Sequence, residues 1–281
     1  MSASAESAPR FGPIARSFAG YAFDLDGTLY VDDALLPWAA ETISRIRSGG
    51  GRVTFVTNKP LETAADYAAK LTRLGVPADP GEVVTSIDAL VLYMQGRHPG
   101  ARVMPIAEPV IFAALAGAGF RVTGDPGATD VVVVAFDRTF NYEKLTAAYR
   151  AVRLHGAGLV ATNPDPYCPT FDGGIPDCAA MLAAIEACTG VKAEAIVGKP
   201  SRHMAHAVLK RLNVAAGSAA MVGDRLATDM AMARSAGVTG VLVLTGASKR
   251  GDISASPFKP DYAIEGLHEL VPAGYEAPSG A

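Results

Sequence analysis

Short runs of β-branched and aromatic residues alternate along the chain with longer stretches whose apolar positions recur every three or four residues. YAFDL is followed by a helical stretch from Pro37 to Ser48, then RVTFVT, then a helix from Glu62 to Leu74 that Gly75 closes. This is a βαβα rhythm, the pattern of helices packed on a parallel sheet. Pro37 suits a first helical turn, and Gly75 suits a left-handed helix stop.

A second alternating block follows. RVMPI, DVVVVAF and GLVATN read as strands, separated by helices over Pro109 to Ala118 and Tyr142 to Leu154. The first rhythm then resumes with EAIVGK, a helix through His206, SAAMVG, a helix through Arg234 and the strand GVLVL. The middle block therefore reads as a domain inserted into a discontinuous core. The expected division is a disordered leader over 1–17, a core over 18–85 and 189–281, and an inserted domain over 86–188.

Composition narrows the function classes. The 281 residues are 49% hydrophobic, enough for a buried core, and the formal net charge of −3 argues against a general nucleic-acid binder. The apolar runs are strand-sized and fall short of the roughly 20 residues that span a bilayer. The opening MSASAESAPR has no apolar core of a secretory signal, so a cytoplasmic protein without membrane association is the expectation. Cys168, Cys178 and Cys188 show neither CxxC nor CxH spacing, which predicts free thiols rather than a zinc site.

Candidate chemistry sits at the ends of the strands. Asp24 and Asp26 close YAFDLDGT, where the pleat points both side chains the same way and Gly27 lets the backbone turn sharply. The crevice beyond the carboxyl ends of an open parallel sheet is where ligands bind. RVTFVTNKP ends in Thr57 and Asn58, whose hydroxyl, amide and backbone N–H groups suit a phosphate oxygen, although Thr-Asn-Lys-Pro is also good turn chemistry. Lys199 follows EAIVG with a compact charge suited to a phosphoryl oxygen. Asp224 ends SAAMVG and Asp229 lies in the next helical turn, both oxygen donors of the kind a hard cation takes. His203 and His206 share a helix face, but no third ligand adjoins them.

DLDGT, VTN, GKP and GDxxxxD, in this order, resemble the four motifs of the haloacid dehalogenase (HAD) superfamily. The long insert between Asn58 and Lys199 is similar to the C2-type cap of its subclass IIA, and the stretch between Asp26 and Thr57 is too short to hold a cap of its own. FDRTFNYEKL, ATNPD, CPT, IPDCAAM, GKPSRHM and VLVLTGASKRGD resemble bacterial sugar-phosphate and nitrophenyl-phosphate phosphatases of the arabinose-operon type. Lys59 is a departure, standing where relatives commonly carry a second asparagine.

The resemblance implies an α/β fold, a doubly wound parallel-sheet HAD-like Rossmannoid core with an inserted α/β C2-type cap. It implies an Mg²⁺-dependent phosphomonoesterase acting on a small phosphorylated metabolite through an aspartyl-phosphate intermediate. Asp24 is then the nucleophile and Asp26 the general acid and base. Thr57, Asn58 and Lys199 bind phosphate, and Mg²⁺ rests on Asp24, the Asp26 backbone carbonyl and Asp224, with Asp229 behind them. Similar proteins often form homodimers through the cap. Rival readings are a phosphotransferase or mutase on the same core, a nucleotide phosphatase, and an inactive binding protein. Asn163, Asp165, Tyr167 and Asp177, in a Pro-rich stretch of the insert, are candidates for reading the leaving group.

Overall fold

The structure is a computed structural model that describes residues 8–168 and 174–278. Its contacts divide the chain into two units, one holding the residues up to Thr57, Ala64–Val84 and those from Ala205 onward, the other holding Asn58–Thr63 and Thr85–Met204.

The first unit is built on a seven-stranded sheet in the order Arg10–Phe11, Tyr262–Ile264, Thr239–Val243, Ala219–Gly223, Gly20–Asp24, Arg52–Thr57 and Val83–Thr85. From the first of these through Arg52–Thr57 the pairings are parallel. The interior strand Gly20–Asp24 is buried along its whole length, which accounts for its apolar run. Helix Ala39–Ser48 buries Ile43 and Ile46, and helix Ala64–Arg73 buries Tyr67 and Leu71, in one cluster with Phe23 and Phe55. Burying each such side chain contributes about 1.5–3 kcal/mol. From Gly20–Asp24 the chain moves to Arg52–Thr57 on one side, and it returns much later to Ala219–Gly223 on the other. That reversal of direction is the switch point of a doubly wound sheet, where the loops leaving the carboxyl ends diverge and open a crevice.

The second unit has a five-stranded sheet in the order Ala195–Ile196, Gly158–Ala161, Val131–Val134, Arg102–Ile106 and Arg121–Val122, with every neighbour parallel. Helix Tyr142–Tyr149 continues through a π-helical turn at Arg150–Leu154, so the single helix expected over this stretch changes pitch midway. Helix Ser86–Arg97 begins with a reciprocal cap in which the Thr85 hydroxyl accepts the Asp88 N–H and the Asp88 carboxylate accepts the Thr85 N–H. Tyr167–Cys168 and Ile175–Pro176 form an antiparallel ribbon. Among the described residues no helix is long and apolar enough to cross a membrane.

Three expectations need correction. Residues 8–17 are not a disordered leader, because Arg10–Phe11 pairs with Tyr262 and Ala263 and Ile14 is buried in the first core; residues 1–7 of that leader lie outside the described residues. The strand of EAIVGK does not resume the first sheet: Ala195 and Ile196 pair with Val160 and Ala161 at the edge of the second. For that reason the second unit runs to Met204, past the expected division at Cys188.

Candidate active site

Within the first unit, the carboxyl ends of neighbouring strands bring acidic side chains together. Asp24 is the last residue of the strand Gly20–Asp24 and is 7% exposed. Leu25 turns into the core, and the Gly27 N–H donates to the Tyr30 carbonyl at 2.8 Å to close the loop that carries Asp26. Asp26 bridges to Tyr30 and is partly exposed. Asp24 is in register with Val56, so Thr57 follows one residue beyond it at the end of the adjacent strand.

Asp224 comes directly after the strand Ala219–Gly223 and is 2% exposed. Its Oδ2 accepts the Ala247 N–H at 2.6 Å and its carbonyl accepts the Ser248 N–H at 3.0 Å. Asp229 lies in the π-helical turn Leu226–Met230, where its Oδ2 accepts the Arg225 N–H at 3.0 Å. Ligand atoms of Asp24, Asp224 and Asp229 lie within 4.8 Å of one another, all buried. Burial, then the neighbouring Asp24 and Asp229 carboxylates, push the Asp224 carboxyl up to about 8.

Glycines make room for these carboxylates. A Cβ on Gly27, which holds φ +82°, would stand 2.6 Å from Asp224 Oδ2, one on Gly246 would overlap the Asp224 carboxylate, and one on Gly223 would overlap Asp229. Three carboxylates this close repel unless protons or a cation join them. The Asp224 Oδ1 is buried without a hydrogen-bond partner among the described residues, a state costing about 1–3 kcal/mol for a neutral group and more for a charged one. An all-oxygen donor set with one donor lacking a protein partner fits a hard divalent cation such as Mg²⁺.

Within the second unit, Lys199 is 3% exposed and lies past the strand Ala195–Ile196. The Asn58 carboxamide accepts the Lys199 N–H at 2.7 Å and donates to the Lys199 carbonyl at 3.0 Å and to Asp165 Oδ2 at 2.9 Å. Both of its N–H donors thus have protein acceptors. Asn163 is fully buried and donates to the Asn58 carbonyl at 3.2 Å. Asp177 is the cap of helix Cys178–Thr189, and burial pushes its carboxyl up to about 6 against the opposing pull of the Cys178 N–H. Of the four leaving-group candidates only Tyr167, on the ribbon, is well exposed, at 52%. The His203 ring packs edge-on against Tyr93 at 4.7 Å.

Known proteins and family models match most of this chain. Residues 21–121 match the family described as haloacid dehalogenase-like hydrolase, and residues 196–270 match a second model for HAD-like hydrolases. The sugar phosphatase AraL of Bacillus subtilis is 30% identical over 90% of this chain and 92% of its own. Human glycerol-3-phosphate phosphatase is 33% identical over 89% of each. The crystal structure of a 4-nitrophenylphosphatase from Thermotoga maritima superposes with a TM-score of 0.84 at 35% identity, covering 90% of this chain and 95% of that one.

The chain belongs to the haloacid dehalogenase-like hydrolases. The motifs that carry the resemblance in this hydrolase are local, and each is legible at its own strand end. The loop Thr245 to Ser248 is different, since it matters through Asp224 and through the Thr245 hydroxyl, which donates to the Gly27 carbonyl at 2.7 Å. No side chain in it announces that role; only the glycine hints at close backbone approach.

Gly246→Ala is therefore expected to displace Asp224 and lower turnover roughly 100-fold, the scale of a misplacement near 1 Å. Gly251→Ala, where a Cβ meets nothing, serves as the control. Steady-state kinetics of the two variants beside their melting curves make the test; equal activity of both would remove Gly246 from the site.

Proposed function

We propose that this hydrolase cleaves phosphate monoesters of a small phosphorylated metabolite, of the sugar-phosphate kind, through a phospho-aspartate on Asp24. The phosphoric monoester hydrolase class rests on family membership and on phosphatase relatives that align along nine-tenths of the chain. The observation that carries the chemistry is the buried triad of Asp24, Asp224 and Asp229, with its unpartnered Asp224 oxygen at the switch point of the sheet.

In the first step an Asp24 carboxylate oxygen attacks phosphorus, the new O–P bond forms as the ester O–P bond breaks, and Asp26 gives its proton to the departing alkoxide. In the second, Asp26 takes a proton from water, the water oxygen attacks phosphorus, and phosphate leaves as Asp24 is restored. Thr57 would donate its hydroxyl to a phosphoryl oxygen, and the resemblance of GKP to the family motif assigns the Lys199 ammonium to neutralising another. Asp24, Asp224 and the Asp26 carbonyl would hold Mg²⁺, with Asp229 supporting that set. The cation, when bound, offsets charge on the transferring phosphoryl group. Tyr167 is the residue we assign to contact with the leaving group.

A phosphate-release screen over sugar phosphates, glycerol phosphates, nucleotides and nitrophenyl phosphate tests the class. Release in water without an added acceptor is expected, and release only with a phosphoryl acceptor would favour the transferase reading. In the same screen Asp26→Asn is expected to lose more turnover on alkyl phosphates than on nitrophenyl phosphate, whose leaving group needs less protonation; general acid–base groups typically contribute about 10²–10⁴-fold. Equal losses on both substrates would exclude Asp26 as the acid.

A further inference from the structure

The strand that leads to Lys199 hands its hydrogen-bonding ladder over to a side chain. The Val197 N–H donates to the Ala161 carbonyl at 2.9 Å and the Gly198 N–H to the Thr162 carbonyl at 2.7 Å, as edge-strand residues do. The next donor, the Lys199 N–H, finds the Asn58 Oδ1 at 2.7 Å in place of a backbone carbonyl. The same carboxamide returns an N–H to the Lys199 carbonyl at 3.0 Å, so it holds both polar groups of that residue's backbone.

Asn58 is itself fixed. Its carbonyl accepts from the Ser86 hydroxyl at 2.7 Å and from Asn163 Nδ2 at 3.2 Å, and its second side-chain N–H goes to Asp165. Asp165 is tied back in turn, its N–H donating to Asn163 Oδ1 at 3.0 Å. Gly198 is shaped to this arrangement: a Cβ there would come within 2.6 Å of Asn58 Oδ1 and 2.5 Å of the Thr162 carbonyl. A closed network of this kind leaves the backbone from which the Lys199 side chain springs with one position.

We propose that Asn58 is a positioning residue whose carboxamide sets where the Lys199 ammonium stands, and that Asp165 and Asn163 act by holding Asn58. The proposal rests on the reading of Lys199 as a phosphate-binding group. It changes the part assigned to the residue after Thr57, from a phosphate ligand through its amide to the brace of a cation.

The test is a double-mutant cycle on the full-length protein with nitrophenyl phosphate. Lys199→Met is expected to lower kcat by roughly 10³-fold. Asn58→Ala is expected to lower kcat roughly 100-fold in the wild type and less than about threefold in the Lys199→Met background, since residues acting as a unit are not additive. Asn58→Asp keeps the acceptor for the Lys199 N–H but sets an oxygen against the Lys199 carbonyl and Asp165, and is expected to be as defective as alanine. Gly198→Ala crowds the same carboxamide from the other side and gives the cycle a second route if Asn58→Ala does not fold. The same fold loss from Asn58→Ala with and without Lys199, or wild-type kcat in Asn58→Ala, overturns the positioning role alone. Wild-type kcat in Lys199→Met overturns the reading of Lys199 first, and the proposal with it.

Discussion

Asp24→Asn gives a folded protein whose phosphate-ester turnover is lower by roughly 10⁴-fold or more, the range found when a nucleophile is removed from a catalytic unit. An amide cannot form the acyl phosphate. The substitution is nearly isosteric at a buried strand end, so the register with Val56 is kept. It also removes one of the charges that, after burial, push the Asp224 carboxyl up to about 8. The metal-free variant should therefore melt at a higher temperature than the wild type near pH 8. Loss of function with gain of stability separates a nucleophile from a structural aspartate. Circular dichroism, melting curves and kcat measured together decide it, and turnover within tenfold of wild type would end the assignment.

Chelation gives the second large effect: activity falls to background with excess chelator and returns with Mg²⁺. Stability carries an independent readout. A folded-state carboxyl raised from 3.8 to about 8 means that between these values the native chain holds more proton than the unfolded chain, so metal-free stability falls as pH rises through that window. Mg²⁺ held by the ionised carboxylates would reverse the trend, so its stabilisation should be larger near pH 8 than near pH 5, reaching about 2.7 kcal/mol at a hundredfold excess over Kd. Differential scanning fluorimetry with and without Mg²⁺ at both pH values measures it. A metal-free melting temperature that rises over this window, or an Mg²⁺ shift independent of pH, would count against cation binding at these carboxylates.

What could be read from the residues was whatever local pattern encodes. YAFDLDGT and SAAMVGD show a buried strand, a carboxylate at its end and, for Asp24, the glycine that turns the chain. EAIVGK shows a buried strand equally well, but nothing in its residues says which of two parallel sheets it joins; that is settled by its pairing with Val160 and Ala161. Arg10–Phe11 is too short and too exposed to stand out from a leader, and it is a strand only because Tyr262 and Ala263 lie beside it. The engagement of Asn58 with Lys199, and of Gly246 with Asp224, joins residues far apart in the chain, so their roles appear only once the fold is known.

The switch point has a consequence for how the molecule is made. The strand Gly20–Asp24 is made before the stretch Thr85–Met204, and its partner Ala219–Gly223 only after the whole of it. That stretch contains all five strands of the smaller sheet, so it can collapse while the larger sheet still lacks three of its strands. Until then the nascent chain carries an open edge along a strand that the finished fold buries throughout, the state in which unfinished sheets pair with neighbours. Residues this far apart in the chain meet late in folding. Asp24 and Asp224 are such a pair, so their carboxylates come together only after the stretch between them has been made.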